Sequence, residues 1–339
     1  MKFNKLALAT AITAAIAGGA ANAVPNQAVS QSLLNVTNFR LLGAGLTPLT
    51  LGDLTTYSYD ISLTNTATLN GVPTIQVASA KGSTANLPNV FTSPVDALKA
   101  CVGPGCAAIP ENTFTVQPVP PVSLFARSDS LLSGAPIDHT GIQPGIANSQ
   151  NSATIAGTSL DSDNNQGSAS SDGLFGSTLS FVLARPVASL GIAFDVSDLI
   201  RTWTSKGSGL GTSAAAGFNW IITLKQGNTT LIDWEPDGST VTGAQLGLVV
   251  EQEDCDMNRN SSASFNDPQA AFSCTGSARA HTSIALLADT QYSISIHQTV
   301  STNAVTGAPV PTTVPEPATL ALLGAGLVGL GFSRRRKTA

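Results

Sequence analysis

Charged residues are scarce in this sequence, at 11% of 339 residues, and no apolar pattern with the helical period of 3.6 residues is sustained along it. The missing helical pattern argues against a helical fold. Hydrophobic residues nevertheless reach 42%, which is enough for a packed core. A disordered chain would be poorer in apolar residues and richer in charge, so we expect a folded body.

The sequence also lacks the common short motifs of catalysis. It contains neither G-x-S-x-G nor H-E-x-x-H, which would indicate a serine hydrolase or a zinc peptidase. Its three histidines, His139, His281 and His297, lie in unrelated contexts. His297 falls on the polar face of a predicted strand, where a lone histidine is more often a surface residue than a catalyst. We therefore expect a protein that is not an enzyme.

The first 23 residues have the three parts of a secretory signal peptide. Lys2 and Lys5 give a positive start, and residues 6–18 are uncharged and consist mostly of Leu, Ala and Ile. Residues 21–23 are small residues of the A-x-A type, so signal peptidase is expected to cut after Ala23. A membrane anchor or a buried helix is the alternative, but the apolar run is short and no stop-transfer pattern follows.

A second apolar segment lies near the end of the chain. Residues 318–332 carry no charge and are followed by Arg334, Arg335, Arg336 and Lys337. A helix over this segment would be about 22 Å long, short of the hydrocarbon core of about 30 Å, yet able to span a thinned bilayer. The basic cluster would stay in the cytoplasm and the body would lie across the membrane. We therefore expect an N-terminal signal helix and a C-terminal transmembrane-type helix.

This tail resembles the PEP-CTERM sorting signal. The tripeptide Pro315-Glu316-Pro317, the apolar segment and the basic cluster stand in that order. The resemblance covers about 25 of 339 residues. It implies recognition by an exosortase, a membrane-embedded cysteine transpeptidase, and cleavage near the tripeptide. It also implies a Gram-negative-type bacterium, an intermediate anchored in the inner membrane, and delivery to the cell surface or to an exopolysaccharide (biofilm) matrix. A plain tail anchor is the alternative.

The body between the two ends is acidic. Two of the 16 basic residues lie in the signal peptide and four in the tail, so ten remain against 20 acidic residues, and the net charge of the body is near −10. Such a charge argues against nucleic acid or anionic lipid as a partner of the body.

Four cysteines in an exported chain predict two disulfides. Cys101 and Cys106 flank Pro104-Gly105, which favours a tight turn, so a local pair is expected. Cys255 and Cys274 would then close a loop of about 20 residues. Three connectivities are formally possible. A four-thiolate metal site is the alternative, although neither pair has the C-x-x-C spacing.

Short alternating apolar runs predict β-strands throughout the body. The first candidates are residues 33–42, 57–64 and 179–194, the last being two strands broken at Arg185-Pro186. Residues 218–224 and 229–234 flank Gln226-Gly227-Asn228 and predict a hairpin, and residues 280–287 and 292–300 predict a second one. In the last strand Tyr292, Ile294 and Ile296 share one face. The fold class predicted is all-β, an antiparallel β-sandwich of jelly-roll-like type.

Three stretches have the composition of loops. Residues 84–121 contain many prolines, and residues 144–173 are rich in Ser, Asn, Gly and Asp. Residues 301–313 show no strand pattern and predict a flexible spacer. The predicted organisation is a signal peptide at 1–23, a sandwich body at 24–300, this spacer at 301–313 and the sorting signal at 314–339.

One acidic loop has part of the spacing of a calcium site. Asp161, Asp163 and Asn165 supply oxygens at loop positions 1, 3 and 5, and Asp172 falls at position 12. Gln166 occupies the position where glycine is expected, and no flanking helices are predicted. An exposed polar loop is therefore the alternative. We expect no other cofactor.

A second acidic patch surrounds Cys255 and is another candidate for calcium. It consists of Glu251, Glu253, Asp254 and Asp256. Alternating acidic residues beside a disulfide also form solvated strand edges, which is the alternative interpretation.

Tryptophans raise a carbohydrate-binding hypothesis, because sugar rings stack on exposed aromatic faces. Trp220 shares a strand face with Ile222 and is expected in the core. Trp203 and Trp234 are the candidates for exposed rings, with core packing as the alternative. The sequence thus favours a structural or interaction protein of the cell surface or matrix over the alternative, a calcium-dependent module that binds exopolysaccharide through exposed aromatic rings. An exported hydrolase would need paired carboxylates converging in a cleft, and their spacing indicates none.

Overall fold

The computed structural model describes residues 25–83, 94–138, 149–174, 179–205, 211–238, 247–264 and 269–308. These residues form fifteen β-strands and three short 3-10 turns, and they contain no α-helix. Within these ranges we find no helical segment with the length and apolarity that crossing a bilayer requires. The predicted signal helix and the predicted C-terminal helix lie outside the described residues.

The first of two sheets has seven strands. They are β1 (Ala28–Leu42), β4 (Val95–Val102), β5 (Phe125–Ser133), β6 (Gln150–Leu160), β9 (Gly191–Thr204), β12 (Leu248–Glu253) and β14 (Gln269–Thr282). Their order across the sheet is β12-β14-β9-β1-β6-β5-β4, so the first strand of the chain lies at the centre. Every pairing in this sheet is antiparallel.

The second sheet has eight strands. They are β2 (Leu54–Leu69), β3 (Val72–Ser83), β7 (Gln166–Leu174), β8 (Leu179–Leu183), β10 (Ser213–Gln226), β11 (Thr229–Trp234), β13 (Arg259–Ser264) and β15 (Gln291–Val305). The main order is β11-β10-β15-β7-β2-β3, with β13 paired to β10, and β8 paired to both β15 and β2. The predicted all-β antiparallel fold is confirmed. A jelly roll has eight strands in all, so these fifteen strands form a larger sandwich.

Apolar side chains alternate along the strands and meet in one core between the sheets. In β2, Tyr57, Tyr59 and Ile61 are buried, as the sequence pattern predicts. In β15, Tyr292 and Ile294 are buried, whereas the side chains between them are partly exposed. This period of two residues fixes which face of each strand points inward.

Polar side chains also cross the interior and join the sheets. Gln298 of β15 donates from Nε2 to the carbonyl oxygen of Leu34 at 2.9 Å and accepts at Oε1 from the hydroxyl of Ser152 at 2.9 Å. The hydroxyl of Ser32 donates to the carbonyl oxygen of Gly217 at 2.9 Å. Buried polar groups need partners of defined geometry, so these bonds fix the alignment of one sheet on the other.

The first predicted hairpin is confirmed and the second is wrong. Strands β10 and β11 pair through Gln226 and Thr229. In contrast, β14 belongs to the first sheet beside β9, and β15 belongs to the second sheet beside β10. The segment between them crosses from one sheet to the other and is pinned by a bridge between Val187 and Leu286. Two strands joined by a turn have the same alternation of apolar and polar residues whether they pair in one sheet or belong to two sheets that face each other across the core.

Three stretches predicted as loops contain strands. Strand β4 lies within residues 84–121. Strand β6 and all but the last residue of β7 lie within residues 144–173, and β15 continues to Val305 inside the predicted spacer. The physical reason is that small polar side chains fill the space where the sheets approach closely. Thr158 and Thr302, for example, share a hydrogen bond of 3.1 Å across the interior.

A connection between β4 and β5 folds over the outer face of the first sheet. We call residues 103–124 the strap. Gln31 donates to the carbonyl oxygen of Thr115 at 2.8 Å and accepts from the backbone N–H of Gln117 at 2.8 Å. Arg127 and Arg201 donate to strap carbonyl oxygens at 3.0 and 3.1 Å. The strap therefore buries polar side chains on a sheet face that would otherwise be open to water.

Candidate functional site

The residues expected to take part in export and sorting lie outside the described residues. These are Ala23, Pro315, Glu316, Pro317, Arg334, Arg335 and Arg336. The body itself, Asn26–Ala308, forms one compact unit.

Both predicted disulfides are present. Cys101 is bonded to Cys106, and Cys255 is bonded to Cys274. Asp198 lies close to the second pair and accepts a hydrogen bond from the backbone N–H of Cys274 at 2.8 Å. Because both sulfurs are in a disulfide, they offer no thiolate, and this group is not a metal site.

The turn predicted to bind calcium has a different role in the fold. Asp163 accepts at Oδ1 from the backbone N–H of Asn26 at 2.7 Å. The carbonyl oxygen of Asn165 accepts from the backbone N–H of Thr306 at 2.8 Å. Asn26 in turn donates to the carbonyl oxygen of Ala308 at 2.9 Å. The turn therefore ties the first and last described residues of the body together, and we call residues 161–165 the terminal clamp.

The fourth predicted calcium ligand is not at this turn. Asp172 lies in β7, about 20 Å along the strand from Gln166 at a rise of about 3.3 Å per residue. It faces the neighbouring strand, where its carboxylate is 2.9 Å from Nε2 of His297. The side-chain oxygen of Asn165 already accepts from Asn70 at 2.8 Å. The predicted set of Asp161, Asp163, Asn165 and Asp172 is thus not brought together, because the chain continues as a strand instead of closing a loop.

The second acidic patch also does not converge. Glu251 lies 3.1 Å from Nδ1 of His281. Asp254 accepts from the backbone N–H of Ser277 at 2.8 Å, and Asp256 accepts from that of Asn258 at 2.9 Å. Glu253 is buried whereas Glu251 is exposed, although they are two residues apart, because a register shift between Val250 and Gln252 breaks the alternation of faces.

Trp220 and Trp234 both lie in the core. For Trp234 this corrects the sequence hypothesis of an exposed ring. Trp234 is completely buried, and its ring centroid lies 5.6 Å from that of Phe194 and 6.3 Å from that of Trp220. A sugar cannot reach it. Trp203 is half-buried near the end of β9, where it pairs with Val29 of β1 and Gln269 of β14.

Two shallow grooves lie on the surface of the body. One of about 440 Å³ crosses β13, β10 and β15 and is lined by small side chains such as Ala215, Ser262 and Ser301. The other, of about 330 Å³, includes Arg40 and Arg279. Neither is lined by a tryptophan.

The two histidines that the structure describes are each paired with one carboxylate. The carboxylate of Asp172 accepts a hydrogen bond from the ring of His297 and so raises the pKa of His297 above its usual value of 6.5. His281 lies beside Glu251. His139 falls outside the described residues. Among the described residues, we find neither His281 nor His297 hydrogen-bonded to a hydroxyl or thiol that could act as a nucleophile.

Three carboxylates that no sequence motif indicates converge beside β5. Oxygens of Asp96, Glu111 and Asp129 lie within 4.8 Å of one another. Asp129 is completely buried in β5. Burial and the charge of Glu111 raise the pKa of Asp129 to about 6. These three residues are far apart in sequence, and two of them fall in the stretch that was predicted to be a loop, so no local motif indicates the cluster.

Comparison with known proteins identifies the tail. Residues 313–337 match the family model described as the PEP-CTERM protein-sorting motif. No curated protein matches the chain. Among solved structures, the infectious bursal disease virus VP2 subviral particle aligns with this chain at 12% identity. The alignment covers 91% of this chain and 79% of that chain, with a TM-score of 0.16. A TM-score of this size does not establish a common fold. The tail match marks this chain as an exported protein that an exosortase processes.

Proposed function

We propose that this protein is a non-enzymatic structural or interaction protein of the bacterial cell surface or extracellular matrix, released into place when an exosortase cuts near Pro315-Glu316-Pro317. The observation that carries the proposal is the sorting motif at residues 313–337, directly after a sandwich body whose described residues end at Ala308. A few residues separate Ala308 from the motif, so cleavage there removes none of the strands that the structure describes.

The terminal clamp supports this order of events. It holds Asn26 against Ala308, so the first and last residues of the compact body lie side by side. The hydroxyl of Thr306 donates to the carbonyl oxygen of Ser162 at 2.7 Å, which fastens the last strand of the body. Processing at both ends then leaves a sandwich whose terminal residues are already bonded to each other.

The carboxylate cluster does not support the hydrolase hypothesis. A glycoside hydrolase uses a pair of carboxylates that flank the bond being cut. Asp129 is completely buried, so a glycosidic oxygen cannot approach it from solvent. The body is therefore proposed to act through its surface and not through chemistry of its own.

The export and sorting steps are tested in a host that contains an exosortase. Replacing Pro315, Glu316 and Pro317 by alanine should stop tail removal and leave the protein in the membrane fraction. The matched control replaces Thr312, just outside the motif, by alanine, which should leave release unchanged. Equal release of the tripeptide variant and the parent protein would contradict the proposal.

Exopolysaccharide binding is the alternative role of the body, and it now depends on Trp203, whose ring is not fully buried. A glycan array run with and without EDTA separates the two roles. Binding that is lost in Trp203→Ala but kept in Trp203→Phe would favour the glycan-binding alternative. Absence of binding in both conditions agrees with the structural role.

A further inference from the structure

The carboxylate cluster under the strap is built around a β-bulge. In the pairing of β4 with β5, Ala97 is opposite Ser130 and Ala100 is opposite Ser128, so Leu98 and Lys99 together face the single residue Asp129. A bulge of this kind changes the direction of side chains and leaves backbone groups unpaired. The backbone N–H of Lys99, freed in this way, donates to the carboxylate of Glu111 in the strap.

Asn112 brings the strap down onto the two carboxylates of the strands. Its backbone N–H donates to Oδ2 of Asp129 at 2.8 Å, and its side-chain amide donates to Oδ2 of Asp96 at 2.7 Å. Asn112 adopts a φ of 55°, a left-handed conformation that asparagine tolerates better than most residues. Each strand carboxylate thus has one oxygen engaged by the strap.

The other oxygen of each of these two carboxylates is left without a partner in the described part of the chain. Oδ1 of Asp129 and Oδ1 of Asp96 are buried and have no hydrogen-bond partner among the described residues. Asp129 is completely buried as a residue. A buried carboxylate oxygen without a partner is costly, and the cost is greater when two other carboxylates lie close to it. The cluster is therefore incomplete without something positive.

The neighbouring protein cations do not fill this place. Nζ of Lys99 donates to the carbonyl oxygen of Ile109. The guanidinium of Arg127 donates to the carbonyl oxygens of Thr113 and Thr115 at 3.0 and 3.4 Å. None of the ion pairs found among the described residues includes Asp96, Glu111 or Asp129.

We propose that Asp96, Glu111 and Asp129 bind one calcium ion, which fastens the strap to the first sheet. Calcium takes six to eight oxygen ligands at about 2.3–2.6 Å, so two oxygens of one shell are at most about 5 Å apart. The observed limit of 4.8 Å among the three carboxylates fits that shell. Magnesium prefers a strict octahedron at about 2.0–2.1 Å and gives up its waters reluctantly, so a set of three protein carboxylates favours calcium. Glu111 is exposed, so the ion has a route from solvent, and water completes the shell.

The inference does not depend on the proposed surface role, and calorimetry tests it directly. The exported protein is treated with EDTA, dialysed, and titrated with calcium and, separately, with magnesium. We expect one calcium ion per chain, with a dissociation constant in the range of about 10⁻⁴–10⁻³ M that is typical of extracellular modules, and binding of magnesium at least ten-fold weaker. The melting temperature should rise with calcium concentration, because the ion binds only the folded chain.

Three variants locate the ion. Glu111→Gln alters an exposed side chain, so it should fold normally yet bind calcium at least ten-fold more weakly. Asp129→Asn should lose binding as well, and without calcium it should be no less stable than the parent protein, because one buried negative charge is removed. The matched control is Asp161→Asn in the terminal clamp, which should bind as the parent does.

Hydrogen exchange of residues 103–124 distinguishes calcium binding from a purely structural role of the three carboxylates, because only bound calcium would change the exchange rate of the strap. Calcium should slow exchange in the strap of the parent protein and of Asp161→Asn, but not in Glu111→Gln. The proposal is overturned if the parent protein shows no heat of binding and no shift in melting temperature at about 10 mM calcium, ten times the weak end of the expected range. It is equally overturned if Asp161→Asn loses binding while Glu111→Gln keeps it.

Discussion

The indole Nε1–H of Trp234 donates a 3.0 Å hydrogen bond to a carboxylate oxygen of Glu253 inside the core. The other oxygen of Glu253 accepts from the backbone N–H of Asp237 and from that of Gly238, the latter at 2.8 Å. Trp234 is thus held by its polar atom as well as by aromatic packing, and both roles are internal. Burial raises the pKa of Glu253 above its usual value of 4.5, because the charged form of the carboxylate is less well solvated there than in water.

Replacing Glu253 tests this arrangement. Glu253→Ala leaves three N–H donors without an acceptor, so we expect a loss of about 3 kcal/mol or more in the free energy of unfolding. Glu253→Gln keeps one side-chain oxygen and should cost clearly less. Urea denaturation of the two variants measures the difference. Equal losses would mean that the hydrogen bonds of Glu253 do not matter to the fold.

The strands that could be predicted from sequence are those with alternating apolar residues. Tyr57 and Tyr59 of β2 and Tyr292 of β15 are buried on the predicted faces because a half-buried strand has a period of two. The same rule fails for β6 and β7, where Ser, Thr, Ala and Gly fill the interior and no contrast between faces is visible. It also does not distinguish a hairpin from a crossing between sheets, which is why β14 and β15 were predicted to pair.

The two disulfides are expected to contribute unequally. Cys255 and Cys274 are 19 residues apart, whereas Cys101 and Cys106 are 5 apart. Cross-linking a longer loop removes more entropy from the unfolded chain. Replacing Cys255 and Cys274 by serine should therefore cost about 3 kcal/mol, and replacing Cys101 and Cys106 about 2 kcal/mol. Denaturation of the two paired variants gives the ranking. A larger loss for Cys101 and Cys106 would contradict the loop-entropy account.

Stability should depend on pH through Asp198. Burial raises the pKa of this carboxyl from 3.8 to about 6. Between about pH 4 and pH 6 the folded chain therefore binds more protons than the unfolded chain, and the free energy of unfolding falls as the pH rises.

Asp198→Asn removes this contribution and keeps an oxygen acceptor for the N–H of Cys274. The difference between the parent protein and the variant should change by at most about 3 kcal/mol across that window, with the variant gaining at higher pH. Denaturation series at several pH values measure it. Parallel curves for the two proteins would show that Asp198 does not titrate as described.

Gly103, at the start of the strap, is expected to tolerate no side chain. Its φ is 118°, and a Cβ there would lie 2.5 Å from the carbonyl oxygen of Leu124 and 2.9 Å from Cα of Phe125. Both contacts are backbone atoms that cannot move aside. Gly103→Ala should therefore cost about 3 kcal/mol or more, the sum of a left-handed conformation and a steric clash.

Gly227 provides the control, since its φ is also positive, at 57°, but nothing lies within 4 Å of its Cβ position. Gly227→Ala should cost about 1 kcal/mol, from conformation alone. The difference in melting temperature between the two variants isolates the clash. Similar melting temperatures would mean that the strap does not pack against β5 as described.

The candidate calcium site could not be predicted from sequence, for a definite physical reason. Its ligands Asp96, Glu111 and Asp129 are brought together by a bulge in β4 and by the path of the strap, and neither has a local signature. The loop with Asp161 and Asp163 did have such a signature, but its oxygens hold the ends of the body. By contrast, the sorting motif is a linear signal, and it was recognised from its order of residues and matched over residues 313–337.

Mass spectrometry of the protein isolated from its own bacterium tests the central claim, which is export followed by removal of the tail. The account predicts a chain outside the cytoplasm that begins at Val24, ends near Pro315-Glu316-Pro317 and contains two disulfides. A cytosolic chain that retains residues 1–339 with four free thiols would contradict it.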